Sequence, residues 1–441
     1  MSDPPWPNKT IAWYTVGILL LAYALAYVDR LVVSLLVEPI KADLALSDTQ
    51  IGLIVGLSFA LFYSVMGLPI ARYADGGNRK GVLLISASLW SAMTAICGFA
   101  AGFWTLFLAR VGVAVGEAGI APTSLSVISD NFPAEERSRP ISIWVFGAAL
   151  ATVLAFGGGG LMLADGGPID QLKTWLGIEM PSWRVLLILL GSMGIPLVLV
   201  LLTLREPLRR DHGDGPAKAS AVQTLAFIRE HRWMFAFFFG GTALCLLVLD
   251  GIFIWLPAYL IRSYGMSLSE AGTSIAAVSL VAGLAGTVGS GYLNDFLVRR
   301  GYNDGPVRAT LLLALLGAIA LPLAIVVDQT WSTVTLFGVG IAGLAGATTV
   351  PQIAMQQVVP NRMRAQIAAG YFFLVNIVGF GLGPFAIGAT TDYIFGSEAR
   401  VGDSMLVVTL VTMPIALLIL TLACRPFRRL GFTYSPSAGT L

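Results

Sequence analysis

ARYADGGNRK (residues 71–80) and GYLNDFLVRR (residues 291–300) each close a long apolar run with an aspartate four residues ahead of a basic pair. Aligned, they set Asp75 over Asp295 and Arg79 over Arg299, an offset of 220. Two further stretches repeat in the same order. Upstream, LSDTQIG (46–52) matches LSEAGTS (268–274), and Ser47 with Gln50, like Ser267 with Glu270, has the spacing of a capping box that satisfies free amides at a helix start. Downstream, PAEERSR (133–139) matches PNRMRAQ (360–366), with Arg137 over Arg364. Three matched loops in order indicate a duplicated unit.

The rest of the chain says what that unit is made of. Of 441 residues, 56% are hydrophobic and 12% charged, and mean hydropathy is +0.80, too little polar surface to cover soluble domains of this size. A helix needs about 20 apolar residues to cross the hydrocarbon core. Twelve such stretches occur, at 11–40, 48–73, 81–102, 104–130, 140–164, 183–204, 233–262, 268–298, 307–327, 331–358, 364–390 and 402–424. The expected fold is therefore an all-α polytopic membrane protein of two pseudo-symmetric six-helix bundles, an arrangement used by transporters whose halves rock about a central site. Glycines such as Gly112, Gly116 and Gly119, or Gly283, Gly286 and Gly289, offer small faces for close helix approach.

The longest polar interruption, REPLRRDHGDGPAKASAVQTLAFIREHR (205–232), combines Gly, Pro and charge and cannot sit in a bilayer. It divides a bundle at 1–204 from one at 233–424, with a tail at 425–441. SAVQTLAFIREHR within it suits a short surface helix, and the only two histidines, His212 and His231, read as solvated linker residues. Placing both termini and the linker in the cytoplasm puts 20 of the 27 Lys and Arg residues on the inner side and five outside, with Arg30 and Arg110 inside spans. AYA and ALA at 22–26 mimic a signal-peptidase site, but the apolar run continues ten residues past them and the preceding segment is weakly basic. Cys97, Cys245 and Cys424 are far apart, so neither a disulfide framework nor a zinc site is expected. The net charge of +2 points to no particular partner.

An acid four residues before a basic pair, in the inner loop after the second span of each half, resembles the signature loop of the major facilitator superfamily, roughly Gly-x-Leu-Ala-Asp-x-x-Gly-Arg-Lys. The first copy departs from it at Ala71 and Asn78; the second keeps Gly291, Leu293 and Asp295. The resemblance spans residues 10–424. YVDRLVV (27–33), the stretch from LSDTQIG to GGNRK (46–80) and RVGVAVGEAGIAPTSLSVISDNFP (110–133) are similar to the spinster branch, with its Asp-Arg pair in the first helix and its Gly-Glu-Ala and Ala-Pro-Thr in the fourth. Membership implies a bacterial inner-membrane, monomeric, proton-coupled exporter of lysolipids such as sphingosine phosphate or lysophospholipids, working by alternating access. Composition and spacing alone show no lipid.

Charge inside the spans carries the functional reading. LLAYALAYVDRLVVSLL (20–36) holds Asp29 and Arg30 mid-run, and the fourth span holds Arg110 and Glu117. A charged residue at the bilayer centre costs about 2.5–3.5 kcal/mol, so it normally faces the bundle interior and a partner. If the first span ends at Ile40, Asp29 lies about 16 Å below that end, between Arg110 at about 9 Å and Glu117 at about 20 Å. Arg110 and Glu117 share a face about 10 Å apart along the axis, so a third group, Asp29 or a substrate headgroup, is expected to bridge them. Protonation of a buried carboxyl responds to burial and to a neighbouring arginine in opposite senses, so a small rearrangement can move a proton on or off. Glu117 is the first candidate for the coupling carboxylate and Asp29 the second. Arg110 is placed to bind an anion through two parallel hydrogen bonds, with Arg30 in reserve. The competing reading is an inert ion-pair network. Asp250 matches Asp29 at an offset of 221, but its neighbour is Gly251 and the tenth span has no charge, so the charge machinery is expected in the first half.

Elsewhere the expectations are as follows. Asp75, Arg79, Lys80, Asp295, Arg299 and Arg300 form a cytoplasmic latch, positive-inside retention being the competing reading for the basic members. Phe253, Trp255, Tyr371, Phe372 and Asn376 line a cavity suited to an amphiphile, or else pack and face lipid. Protons, an amphipathic substrate and membrane lipid are the expected partners; nucleic acid, metal and cofactor are not. A nucleophile with an adjacent base, a phosphate-cradling glycine loop and metal-ligand spacing are all missing, which argues against an enzyme. A carrier of small organic anions would use the same Arg110 and carboxylates, whereas the duplicated loops speak against a receptor or channel.

Overall fold

The computed structural model describes residues 6–209 and 220–429. Linker positions 210–219, with His212, and tail positions 430–441 lie outside the described residues, as does the side chain of Asp75. Among the described residues there are helices and no strands. Twelve helices among these residues are long and apolar enough to span a membrane: Lys9–Leu35, Asp48–Ala74, Arg79–Cys97, Phe103–Asn131, Ser138–Met162, Ser182–Leu202, Arg232–Tyr264, Leu268–Arg299, Gly305–Val326, Thr330–Val358, Arg362–Phe395 and Glu398–Arg429. Within each unit we call the end at which its odd-numbered spans begin the inner end and the opposite end the outer end.

The first span stops five residues short of the expected Ile40. Leu36 interrupts it, and a separate helix, Val37–Leu44, follows. Pro39 explains the break, because it has no N–H to donate to the carbonyl four residues back and its ring crowds that turn. Both expected capping boxes form at span starts: Ser47 Oγ accepts from the Gln50 amide at 3.2 Å and Gln50 Oε1 accepts from the Ser47 amide at 3.0 Å. Ser267 and Glu270 make the same reciprocal bonds at 3.2 and 2.9 Å. The linker segment is a helix over Ala221–Glu230, opened by a third box between Ser220 and Gln223.

The chain resolves into two compact units. Unit one comprises 1–213, 254–277 and 392–399; unit two comprises 214–253, 278–391 and 400–441. In unit one the first span packs on the fifth, the third on the fourth and sixth, and the second on the fourth. A Cβ on Gly116 would stand 2.5 Å from the Trp90 backbone nitrogen, so the third and fourth spans touch backbone to backbone one residue before Glu117. In unit two the ninth span packs on the tenth and twelfth. There a Cβ on Gly286 would stand 2.3 Å from the Ala342 carbonyl oxygen, whereas Gly283 and Gly289 face open space, so that small face is narrower than its sequence suggests.

Candidate substrate and coupling site

Four charged side chains meet inside unit one, in two pairs. Arg110 Nη1 donates to Asp29 Oδ2 at 3.2 Å, and Arg30 Nη2 and Nε donate to Glu117 Oε2 at 2.8 and 3.3 Å. Asp29, Arg110 and Glu117 are 1–2% exposed. The break at Leu36 accounts for the first pair: Asp29 lies about 10 Å from it, level with Arg110 about 10 Å into the fourth span. Asp29 therefore partners Arg110 without bridging to Glu117. Arg30, expected as a reserve anion contact, is the partner of Glu117.

Aromatic rings complete the shell, and these were missed from sequence. The Arg30 guanidinium sits 4.3 Å from the Phe59 ring centre, 4.7 Å from Tyr63 and 5.2 Å from Tyr27, while Arg110 lies 5.6 Å from Phe59. One ring thus serves both arginines, and cation–π attraction strengthens when the pair is desolvated. A π-helical turn at Leu53–Leu57 ends two residues before Phe59; such turns recur at functional sites. The only advance signal was the four-residue spacing of Tyr23 and Tyr27, and of Phe59 and Tyr63, on helices already expected to carry charge.

The cluster is not saturated. Nε and Nη2 of Arg110 and Oε1 of Glu117 are buried with no hydrogen-bond partner among the described residues. Nε and Nη2 form one edge of the guanidinium, the edge that grips a carboxylate or phosphate through two parallel bonds. Beside Arg30 and Glu117, Tyr23, Tyr27 and Tyr63 wall a cavity of about 10 Å³, close to the space of one water. Anything larger requires the pairs to separate.

The other expected residues are placed differently. Arg79 is 1% exposed and anchored within unit one: Nε donates to Glu206 at 2.8 Å, Nη2 to the Pro207 carbonyl at 2.8 Å, and Nη1 to Ser126 and Asp130. Lys80 Nζ donates to the Leu202 carbonyl at 2.6 Å. Their counterparts Asp295 and Arg299 are exposed. Trp255 is fully buried in unit one, where Arg262 lies 5.6 Å from its ring. In unit two Phe253 is half-buried, and Tyr371 is buried with its hydroxyl donating to the Thr348 carbonyl at 3.1 Å. Asn376 donates to its own helix, to the Phe372 carbonyl at 2.8 Å, and Phe372 is exposed. Asp250 is half-buried in the seventh span.

Sequence reasoning also missed a second ionic cluster at the outer end of unit one. Arg262 donates to both oxygens of Asp48 at 2.7 and 2.9 Å and to Glu38 at 2.9 Å. Lys41 pairs with Asp48 and lies 3.1 Å from Glu398. Asp392 accepts from the Thr49 and Asp48 amides at 2.7 and 3.3 Å. Only the unusual density of charge on these short outer segments pointed there.

A helical chain of twelve spans with charge concentrated in one unit invites comparison with known carriers. The model of the Major Facilitator Superfamily matches residues 19–426. The chain belongs to that superfamily. It is 32% identical over 435 residues to an MFS-type efflux pump of Mycolicibacterium smegmatis, covering 95% of this chain and 94% of the relative. A probable L-galactonate transporter of Escherichia coli is 26% identical, covering 84% and 81%. Among solved structures it is similar to a bacterial homologue of the human lysosomal transporter spinster in an inward-facing, unoccupied conformation, with a TM-score of 0.83 and 26% identity over 98% of this chain and 100% of that one. The spinster-like resemblance read from the first, second and fourth spans is thus supported. The protein is a multi-pass membrane transporter of the Major Facilitator Superfamily.

Proposed function

We propose that this transporter is a proton-coupled exporter of anionic or zwitterionic lysolipids that works by alternating access, with Arg110 as the headgroup ligand and Glu117 and Asp29 as the coupling carboxylates. The supporting observation is the unpartnered Nε–Nη2 edge of Arg110, buried beside an acid it already holds. A phosphate that docks on that edge competes with Asp29 for the guanidinium. Release of Asp29 changes its charge environment and favours uptake of a proton, which links substrate and proton by mutual displacement. Arg30 and Glu117 form the second relay, their separation opening the tyrosine-walled cavity to a headgroup. For the outer end to open, the Arg262–Asp48 and Lys41–Glu398 contacts must part.

A second reading, a carrier of small organic anions, is favoured by the galactonate transporter relative, since a carboxylate fits the same arginine edge. Purified protein in liposomes under an imposed pH gradient, offered a lysophospholipid or a hexonate, separates the two. Lysolipid movement that follows the gradient and is lost in Arg110→Ala is the expected result. Hexonate movement with no lysolipid movement replaces the first reading by the second, and no gradient dependence for either removes proton coupling.

A further inference from the structure

We propose that a pocket at the inner end of unit two binds an anionic diacyl phospholipid of the adjacent leaflet, its phosphate held by Arg425 and Arg429. The pocket, about 460 Å³, lies between the start of the seventh span and the end of the twelfth. Its two halves differ in chemistry. Towards the membrane it is walled by Phe237, Leu422 and Trp233, the last 56% exposed and stacked on Phe237 with centroids 5.4 Å apart. Towards the aqueous side it is walled by Arg425, Arg429 and His231, with Glu230 as the single acid.

Three observations point to a lipid headgroup. Arg425 and Arg429 are four residues apart and therefore neighbours on one helix face. Neither has an ion-pair partner among the described residues, whereas Arg428 between them is held by Asp304 at 3.2 Å. Two guanidinium groups lining one pocket, neither of them ion-paired among the described residues, match a phosphodiester, and basic pockets at the ends of spanning helices suit anionic headgroups. Trp233, at the first turn of its span and with Arg232 5.4 Å from its ring, has the amphipathic placement of an interfacial anchor. The adjoining linker helix carries Val222 and Leu225 at 77% and 66% exposure on a surface that also bears Arg229 and Glu230. That composition suits a helix lying in the headgroup layer. Glu230 disfavours a second anion and leaves an acceptor for headgroup hydroxyls, as on a glycerol headgroup. Residues 430–441 have no acidic side chain to offer the two arginines.

The test uses the full chain in neutral detergent and compares dioleoyl phosphatidylglycerol, dioleoyl phosphatidylcholine and inorganic phosphate. Binding is read by thermal shift and by lipid retained in native mass spectrometry. Wild type should retain phosphatidylglycerol in preference to phosphatidylcholine, and inorganic phosphate alone should give no comparable shift. Arg425→Gln with Arg429→Gln should weaken that retention at least about tenfold, a change of about 1.4 kcal/mol. Arg139→Gln with Arg362→Gln removes two exposed inner-end charges and should leave retention unchanged. Equal stabilisation by both lipids, reproduction of the shift by inorganic phosphate, or equal weakening by the two double variants each overturns the proposal.

Discussion

Of the eight charged side chains buried among the described residues, Asp29, Lys41, Asp48, Arg79, Arg110, Glu117 and Asp130 belong to unit one and Asp304 to unit two. Asp304 sits at a helix end with Arg308 at 2.8 Å and Arg428 at 3.2 Å, whereas Asp29, Arg110 and Glu117 lie within spans. The duplicated loops sharpen the contrast. Arg79 and Arg299 occupy the same place in the repeat, yet one is buried among acids and the other is exposed. The difference comes from the neighbours. Asp130 faces Arg79, while at the offset of the downstream loop pair, 227, the matching residue is Gln357. The repeat keeps the loop's charge spacing without the environment that buries it, so buried charge is concentrated in unit one.

The strongest way to break this contrast is Arg110→Ala. Removing one partner of a buried pair leaves an uncompensated charge and costs about 3–5 kcal/mol. Transport in liposomes should fall to background and unfolding in detergent should shift by that amount. Arg110→Lys keeps the charge but offers only a point contact in place of a two-bond edge, so stability should recover more than transport. Wild-type transport by Arg110→Ala would make the cluster purely structural.

Next in size is the pair of loop variants. Arg79→Ala removes the buried guanidinium that Asp130 and Glu206 share and should cost about 3 kcal/mol, while Arg299→Ala, at an exposed site, should stay within about 0.5 kcal/mol. Equal losses measured by denaturant unfolding would show that the two copies are energetically alike. A smaller effect on folding is expected for Glu117→Gln, which keeps the shape and removes the charge: transport should lose its dependence on the pH gradient while the thermal transition moves little. Retained gradient dependence would reassign coupling to Asp29. Arg262→Gln should shift the population towards an open outer end about tenfold, or about 1.4 kcal/mol, read as longer spin-label distances across that end. Asp295→Asn should change neither transport nor stability measurably, and a large loss would support a latch role for the second loop copy.

Much of this was legible because it is local. Hydropathy over 20 residues marks a span wherever its partners lie, and a capping box needs only four residues, which is why Ser47 and Ser267 are found as read. The charges at 29, 30, 110 and 117 were legible as a set because charge in a span is costly unless paired. The linker helix was legible from its composition, whereas Tyr27, Phe59 and Tyr63 were not, since aromatic residues fill spans for many reasons.

Twelve spans, a duplicated plan and a concentration of charge in the first half can be read from the sequence alone. Which residues meet follows from how those spans pack. Consecutive helical residues point about 100° apart, so the break before Pro39 and the rotation of the first span determine that Asp29 meets Arg110 while Arg30 turns to Glu117. Likewise Arg262 reaches Asp48 across 214 residues of chain, a contact set by the packing of helix ends and invisible to any local pattern.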